Sequence, residues 1–167
     1  MNEKIRHKNK PQPVDLDQID FRILHHLQNN ARITNTELSD AVGLSPSPCL
    51  RRVKALEERG VIKRYAAIVD PVSTGLPISI FVSVSLHSQE REGLLAFETE
   101  IASYEEVMEC YLMTGSSDYL LRLVVPDLQA FERFLADKLT RIKGVANIQS
   151  SFALKQVVYR TELPLVG

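Results

Sequence analysis

The run from Thr34 to Arg59 most restricts how this chain can fold, because it has the pattern of two short helices joined by a sharp turn. The first helical pattern ends at Gly43, the residue type that most readily takes the left-handed backbone conformation of such a turn. Ser45 can then cap the second helix, and Pro46 suits its first position, where a missing N–H costs no hydrogen bond. The pattern predicts a helix-turn-helix.

The second of these helices is predicted to have a buried stripe and a polar, basic face. The three-residue spacing of apolar side chains predicts that the stripe consists of Leu50, Val53 and Leu56. The other face carries Ser47, Arg51, Lys54 and Glu58. Hydroxyl groups at the helix start, followed by Arg51 and Arg52, suit a helix whose N-terminal end enters the DNA major groove and binds phosphate there. A plain helical hairpin is the alternative, and the basic, hydroxyl-rich face favours DNA binding over it.

Composition and charge place the chain among globular proteins with a basic N-terminal part. The 167 residues are 44% hydrophobic and 25% charged, which argues against disorder. Residues 1–70 hold 12 Lys and Arg against 9 Asp and Glu, whereas residues 71–167 hold 8 against 12, so the two parts carry net charges of +3 and −4. We find neither an apolar run long enough for a membrane span nor a signal-peptide core, so we expect a cytoplasmic protein without membrane partners.

The N-terminal part divides into an arm and a DNA-binding domain. Residues 1–14 hold four basic residues and two prolines and are predicted to be a flexible basic arm; a solvated tail is favoured over a specific DNA contact. A first helix, capped by Asp15 or Asp17, is predicted to pack behind the helix-turn-helix. Residues 61–70 read as an extended ribbon, which would make residues 15–70 a winged helix-turn-helix. Two prolines and a glycine in residues 71–77 indicate the linker.

The second half, residues 78–167, has the element order β-α-β-β-α-β of the ferredoxin-like fold, so the whole chain is predicted to be α+β. The predicted strands are residues 78–86, 106–113, 118–125 and 145–159, with helices over 90–102 and from 127 to 143. Such a sheet leaves one face without helices. We expect a second copy of the chain to cover that face, which carries Phe81, Tyr111, Tyr119 or their neighbours.

The sequence offers no catalytic or metal site. It contains no nucleophile–base pair, no Gly-rich phosphate loop and no metal-ligand spacing, and its four histidines are scattered or adjacent. Cys49 and Cys110 are each expected to be small core residues and not a disulfide. An enzyme is therefore the disfavoured alternative. A second alternative is a sensor domain that controls a partner protein without binding DNA.

Several stretches resemble one family of bacterial and archaeal transcription regulators, the leucine-responsive regulatory protein/AsnC (Lrp/AsnC) family. The stretches are L-D-Q-I-D-F-R-I-L, A-R-I-T-N-T-E-L-S, V-G-L-S-P-S-P-C-L-R-R-V-K-A-L-E, G-V-I and E-C-Y-L-M-T-G-S-S-D-Y-L-L-R. The resemblance implies an N-terminal winged helix-turn-helix and a C-terminal ferredoxin-like domain for oligomerisation and effector binding. It implies double-stranded DNA as partner, a nucleoid-associated location, a homodimer that assembles to a tetramer or octamer, and no cofactor besides a small amino-acid effector.

The resemblance also carries over site residues. The DNA-binding residues it implies, together with those chosen above, are Thr34, Asn35, Thr36, Ser45, Ser47, Pro48, Arg51, Arg52, Lys54 and Lys63. The effector-binding residues it implies are Met113, Thr114, Gly115, Ser116, Ser117, Asp118, Tyr119 and Ser150. Backbone N–H groups around Gly115 suit the carboxylate of an amino acid, and Asp118 suits its ammonium group.

From the residues alone, a plain hairpin turn explains 114–117 better than a binding site, and the resemblance reverses that preference. Ser116 and Ser117 stand where the leucine-responsive branch usually carries an acidic and an aromatic residue. This departure argues against leucine itself as the effector and leaves room for one that is polar or bulkier.

Overall fold

A computed structural model describes residues 14–165, so nearly all of the predicted basic arm lies outside the described residues. The described chain forms two compact units, which we call the N-terminal unit (residues 14–67 and 158–165) and the sheet unit (residues 68–157). Among residues 14–165, no helix is long and apolar enough to cross a lipid bilayer.

Three helices form most of the N-terminal unit: α1 (Gln18–Asn29), α2 (Asn35–Val42) and α3 (Pro46–Glu58). Asp17 caps α1, because its carboxylate accepts hydrogen bonds of 2.9 Å from the backbone N–H groups of Ile19 and Asp20. Thr34 caps α2 in a reciprocal capping box with Glu37. Gly43 ends α2 with φ of 71°, in the left-handed region, as the predicted turn requires.

The core of the N-terminal unit differs from the predicted stripe at one position. Its buried residues are Ile23, Leu24, Leu38, Val42, Cys49 and Leu56. Leu50 was predicted to be buried but is 43% exposed, whereas Cys49 is fully buried. In a helix of 3.6 residues per turn, residues three apart drift around the axis by about 60° at each step, so Leu50 lies outside the buried arc that Leu56 and Val53 define.

The sheet unit has the predicted βαββαβ order. Its strands are β1 (Ile78–Leu86), β2 (Val107–Leu112), β3 (Tyr119–Val125) and β4 (Val145–Phe152), with helices α4 (Arg91–Ile101) and α5 (Leu128–Arg133). The strands pair antiparallel in the order β2-β3-β1-β4. The chain continues from α5 through a π turn over Phe134–Lys138, which places Phe134 and Leu139, five residues apart, in the same core.

One face of this sheet packs against the helices and the other is open. Phe81 and Tyr111 lie on the open face, as predicted, and are 37% and 51% exposed. Tyr119, also predicted there, is 1% exposed and belongs to the core. The register explains the difference, because Tyr119 lies opposite Val84, and residues opposite one another in an antiparallel pair share a face.

Two predicted strands are shorter or missing. The last strand was predicted to reach residue 159 but ends at Phe152, which pairs with Ile80 near the start of β1. The Ala153 N–H still donates to the Ser79 oxygen of β1, and the residues after 154 run past the start of that strand. The predicted ribbon over residues 61–70 does not form. A β-ribbon needs two strands, and residues 63–70 are exposed and pair with no strand of the described chain.

The division into units also differs from the predicted boundaries. It falls between Ala67 and Ile68, before the predicted linker 71–77, which is a turn held by hydrogen bonds from the backbone N–H groups of Val72 and Ser73 to the Asp70 carboxylate. Residues 158–165 pack with the N-terminal unit, whereas the prediction placed them with residues 78–157. The Leu163 N–H donates to Oε1 of Gln28 on α1 at 2.7 Å, and Leu165 packs against the helical core.

Candidate nucleic-acid interface and ligand-binding turn

The exposed face of α3 presents a hydroxyl group, a leucine and two cations. These side chains are Ser47, Leu50, Arg51 and Lys54, all exposed. Positions three and four apart are neighbours on a helix surface, so the four form one continuous patch, which we call the α3 patch. Of the other predicted DNA-binding residues, Thr34, Thr36, Ser45 and Lys63 are exposed, whereas Asn35, Pro48 and Arg52 are half-buried.

The N-terminal end of α3 offers fewer backbone donors than expected. Pro46 and Pro48 have no N–H group, so Ser47 supplies the only one among the first three helical residues. Ser45 occupies the N-cap, but its side chain makes no capping hydrogen bond. The hydroxyl groups of Ser45 and Ser47 and the helix dipole are therefore what this end of the helix offers to a phosphate.

Arg52 points toward α1 and not into the α3 patch. Its Nη1 lies 2.7 Å from Oδ2 of Asp17 and 2.8 Å from Oδ1 of Asp20, and the Asp20 side chain is only 9% exposed. The Asp20 backbone N–H and the Arg52 guanidinium hold the pKa of Asp17 below its ordinary value. We therefore correct the expectation that Arg52 contacts DNA. Arg52 and Arg51 are consecutive, so they project about 100° apart around the helix, and only Arg51 joins the patch.

Asn35 and Thr34 also serve the fold. The Asn35 side-chain amide donates to the backbone oxygen of Pro46 at 2.9 Å and so ties the start of α2 to the start of α3. Its own Oδ1 is buried and makes no hydrogen bond within the described residues. The Thr34 hydroxyl accepts the Glu37 N–H and donates to the Glu37 carboxylate, so capping already uses it.

The predicted effector turn, residues 114–117, joins β2 to β3. Gly115 has φ of 129°, a conformation that a side chain would strain. The turn is closed by a 2.8 Å hydrogen bond from the Met113 N–H to the backbone oxygen of Asp118. The Asp118 N–H donates to the backbone oxygen of Val84 on β1 at 2.9 Å. Thr114, Gly115 and Ser116 are exposed at this end of the sheet.

The Asp118 carboxylate has structural partners on both oxygens. Oδ2 accepts the backbone N–H of Leu86 at 2.7 Å, and Oδ1 accepts the side-chain amide of Gln89 at 2.6 Å. The carboxylate thus holds the segment between β1 and α4 against the turn. It can still accept a ligand's ammonium group, because each carboxylate oxygen has a second lone pair.

Two of the predicted effector residues, Tyr119 and Ser150, have side chains that do not join the turn. The Tyr119 ring packs on Phe97 with centroids 4.5 Å apart, and its hydroxyl donates to Glu98 at 2.9 Å. Burial and the neighbouring Glu98 carboxylate raise the pKa of Tyr119 well above its usual range. Ser150 lies on β4, at the opposite edge of the sheet from the β2–β3 hairpin. Within one chain, residues 113–118 therefore lie together, the Tyr119 side chain faces the core, and Ser150 lies at the far edge of the sheet.

An open cavity of about 330 Å³ between α4 and β2 was not predicted. Its lining includes Glu98, Met108, Cys110, Leu112 and Tyr119. Cys110 is exposed, so the expectation that it is a core residue was wrong, whereas Cys49 is buried as expected. The alternation of β2 could have placed Cys110 and Leu112 on one face, but the sequence does not show that α4 borders them. Within residues 14–165, no group of His, Cys, Asp or Glu side chains is arranged to hold a metal ion.

Comparison with protein families identifies both parts of the chain. Residues 16–63 match a family described as winged helix-turn-helix DNA-binding, and residues 79–163 match the Lrp/AsnC ligand binding domain. The chain belongs to the Lrp/AsnC family. It is therefore a DNA-binding transcriptional regulator with a domain for small amino-acid effectors, and it is not an enzyme. These matches confirm the predicted α+β fold class, including the winged helix-turn-helix family of the N-terminal part, although residues 61–70 form no β-ribbon.

Relatives of this Lrp/AsnC protein support the same assignment. It is 46% identical over 91% of its length to the Bkd operon transcriptional regulator of Pseudomonas aeruginosa, covering 99% of that protein. It is 40% identical to the leucine-responsive regulatory protein of Escherichia coli, with 86% of this chain and 87% of the relative covered. The structure of a Neisseria meningitidis transcriptional regulator in complex with L-Met superposes with a TM-score of 0.85 at 43% identity, covering 90% of this chain and 97% of that one.

Proposed function

We propose that this regulator reads double-stranded DNA with the α3 patch lying in the major groove. Arg51 and Lys54 contact bases or phosphates, Ser45 and Ser47 bind phosphate at the helix start, and Thr36 and Lys63 contact the backbone on either side. Thr34, Asn35, Pro48 and Arg52 shape or hold the helices. The observation that carries this assignment is the exposure of the patch on a helix that Asn35 and Arg52 fix in place.

The test measures binding to a duplex that the wild-type protein selects from a random-sequence pool, at several salt concentrations. Lys54→Ala should weaken binding and make it less dependent on salt, because a lost phosphate contact releases fewer counterions. Arg133→Ala, an exposed arginine of the sheet unit, is the matched control and should bind like the wild type. Equal loss in both variants would show that only overall charge matters.

We propose further that a small amino acid binds at the turn of residues 113–118, with its carboxylate on backbone N–H groups near Gly115 and its ammonium group on Asp118. The exposed turn and the L-Met complex of the Neisseria meningitidis regulator support this. Tyr119 would act only by shaping the core beneath the turn. Ser150 can join the site only from a second copy of the chain, because it lies at the far edge of its own sheet.

A thermal-shift screen of the twenty amino acids tests the effector site, with methionine, the ligand of the Neisseria meningitidis regulator, as the first candidate. The best ligand should lose its effect on Gly115→Ala. Gly75→Ala is the matched control, since Gly75 also has positive φ and open space where a Cβ atom would lie, but belongs to a different turn. If the ligand stabilises both variants as it does the wild type, the effector binds elsewhere.

We propose that the open sheet face forms a homodimer, that dimers assemble into a tetramer or octamer, and that the protein resides on the nucleoid in the cytoplasm. The exposed Phe81 and Tyr111 on the helix-free face support the dimer, and DNA as the target supports the location. Phe81→Arg should lower the mass measured in solution, whereas Leu128→Arg, on exposed α5, should leave it unchanged. An unchanged mass for Phe81→Arg would contradict this interface.

A further inference from the structure

Leu50 is an apolar side chain in the otherwise polar α3 patch. It is 43% exposed, one helical turn after Ser47 and one turn before Lys54, and it adjoins Arg51. The core of the N-terminal unit does not use it, because Cys49 and Leu56 are buried and Val53 packs against them. Packing within the unit therefore gives no reason for a leucine at this position.

The DNA major groove offers few groups that favour a leucine. Its base edges present hydrogen-bond donors and acceptors, and the exception is the C5-methyl group of thymine. The phosphates on either side of the groove are charged and are better bound by the hydroxyl groups and cations of the patch. An apolar side chain among them can therefore add base preference without adding charge.

We propose that Leu50 is a specificity-determining residue that contacts a thymine methyl group. The inference rests on the proposed function, since Leu50 reaches a base edge only if α3 lies in the major groove. Burial of one methyl group changes affinity about fourfold. We therefore expect the base preference due to Leu50 to appear at a single base-pair position. Arg51, the next residue, would then contact the neighbouring base or phosphate.

The experiment uses the duplex selected by the full-length wild-type protein, with each thymidine replaced in turn by deoxyuridine. This replacement removes only the methyl group and keeps the hydrogen-bonding edge. The dissociation constants of the wild type, Leu50→Ala and Leu95→Ala are measured on every duplex. Leu95 is the matched control because it is also 43% exposed but lies on α4 of the sheet unit. Thermal melting of each variant confirms folding.

We expect at least one deoxyuridine duplex to bind the wild type and Leu95→Ala about fourfold more weakly, and Leu50→Ala to bind both forms equally. Wild-type binding that no deoxyuridine weakens, or an effect that persists in Leu50→Ala, overturns the inference while the proposed function stands. A change of oligomeric mass in Leu50→Ala without a thymine effect also overturns it, since the leucine then serves a protein contact. Failure of the wild type to select any duplex overturns both.

Discussion

The guanidinium of Arg52 contacts two carboxylates at the start of α1, at 2.7 and 2.8 Å, whereas the side chain of Arg51 is exposed in the α3 patch. The two arginines are adjacent in the sequence, and their angular positions relative to the buried stripe separate their roles. Leu50 and Cys49 differ in the same way, one exposed and the other buried. At the scale of single residues, an angular offset of about 100° decides whether a side chain lies in the exposed α3 patch or packs within the N-terminal unit.

Separate effects on binding and stability are expected for the two arginines. Arg51→Ala should weaken DNA binding with little change in melting temperature. The salt slope, by which we mean the slope of the logarithm of the binding constant against the logarithm of salt concentration, should fall in magnitude by about 1. Arg52→Ala should destabilise the N-terminal unit by about 1–2 kcal/mol, because the buried Asp20 loses its charged partner. Its salt slope should match that of the wild type when binding is measured well below the melting temperature.

Titrations of DNA at several salt concentrations, together with thermal melting, distinguish the two roles. Arg52→Lys is the conservative control and should recover part of the lost stability. A wild-type melting temperature for Arg52→Ala combined with a reduced salt slope would return Arg52 to the DNA interface.

At the scale of elements, the local signals in the sequence predicted most of the fold. The predicted cap at Asp15 or Asp17 and the left-handed Gly43 located the start of α1 and the turn before α3, because each signal acts within four residues. The last strand, predicted too long, and the ribbon over residues 61–70, which does not form, both depend on partner strands that a local pattern does not reveal. Residues 153–159 continue the alternation of a strand, but β1 begins at Ile78 and is too short to pair with those after 154.

At the effector turn, too, the local sequence predicted the turn but not its contacts with distant residues. Its glycine and hydroxyl residues predicted the hairpin, and the structure has it between β2 and β3. The partners of Asp118 come from Leu86 and Gln89, about thirty residues earlier in the chain, and no local spacing indicates them. The burial of Tyr119 likewise follows from its pairing with Val84.

The cap of α2 should contribute to stability independently of DNA. Thr34→Ala removes a side-chain cap and should destabilise the N-terminal unit by about 1 kcal/mol. Chemical denaturation measures this loss, and Thr34→Ser, which keeps the hydroxyl group, is the control. Because we assign Thr34 to capping, its salt slope for DNA should equal that of the wild type; a smaller slope would indicate a phosphate contact as well.

The start of α1 should be sensitive to acid. The folded protein holds the pKa of Asp17 below its ordinary value, first through the Asp20 backbone N–H and then through Arg52. A lowered pKa means that this stabilisation is fully present above the unfolded-state value and is lost as pH falls through the lower folded value. Between about pH 5 and pH 2, the wild type should therefore lose more stability than Asp17→Asn, as measured by urea denaturation; parallel curves would contradict this role.

At the scale of the whole molecule, the N-terminal unit is built from two separate parts of the chain. Residues 158–165 return to it after the sheet unit, and Leu163 and Leu165 contact α1 and the helical core. The match to the ligand binding domain extends to residue 163, so family boundaries alone assign this segment to the other domain. The sequence prediction also placed residues 158–165 with the sheet unit, because no local pattern shows that they pack on α1.

Removal of the returning segment should weaken the DNA-binding unit. A chain ending at Val157 should show a lower melting temperature for the N-terminal unit and weaker DNA binding, because Gln28 and the helical core lose their contacts with Leu163 and Leu165. Gln28→Ala, which removes only the side-chain partner of Leu163, should show a smaller change in the same direction. Calorimetry and DNA titration measure both effects, and a truncated chain with wild-type values would show that the segment is dispensable.

This return of the chain sets an order of events during synthesis. The ribosome releases residues 68–157 before residues 158–165, so the sheet unit can fold while the N-terminal unit still lacks part of its surface. A chain cut between residues 157 and 158 would keep all three helices of the N-terminal unit and lose the segment that lies on α1. The N-terminal unit is thus completed only after the sheet unit has been synthesised. Every chain with a complete N-terminal unit therefore also carries the sheet unit.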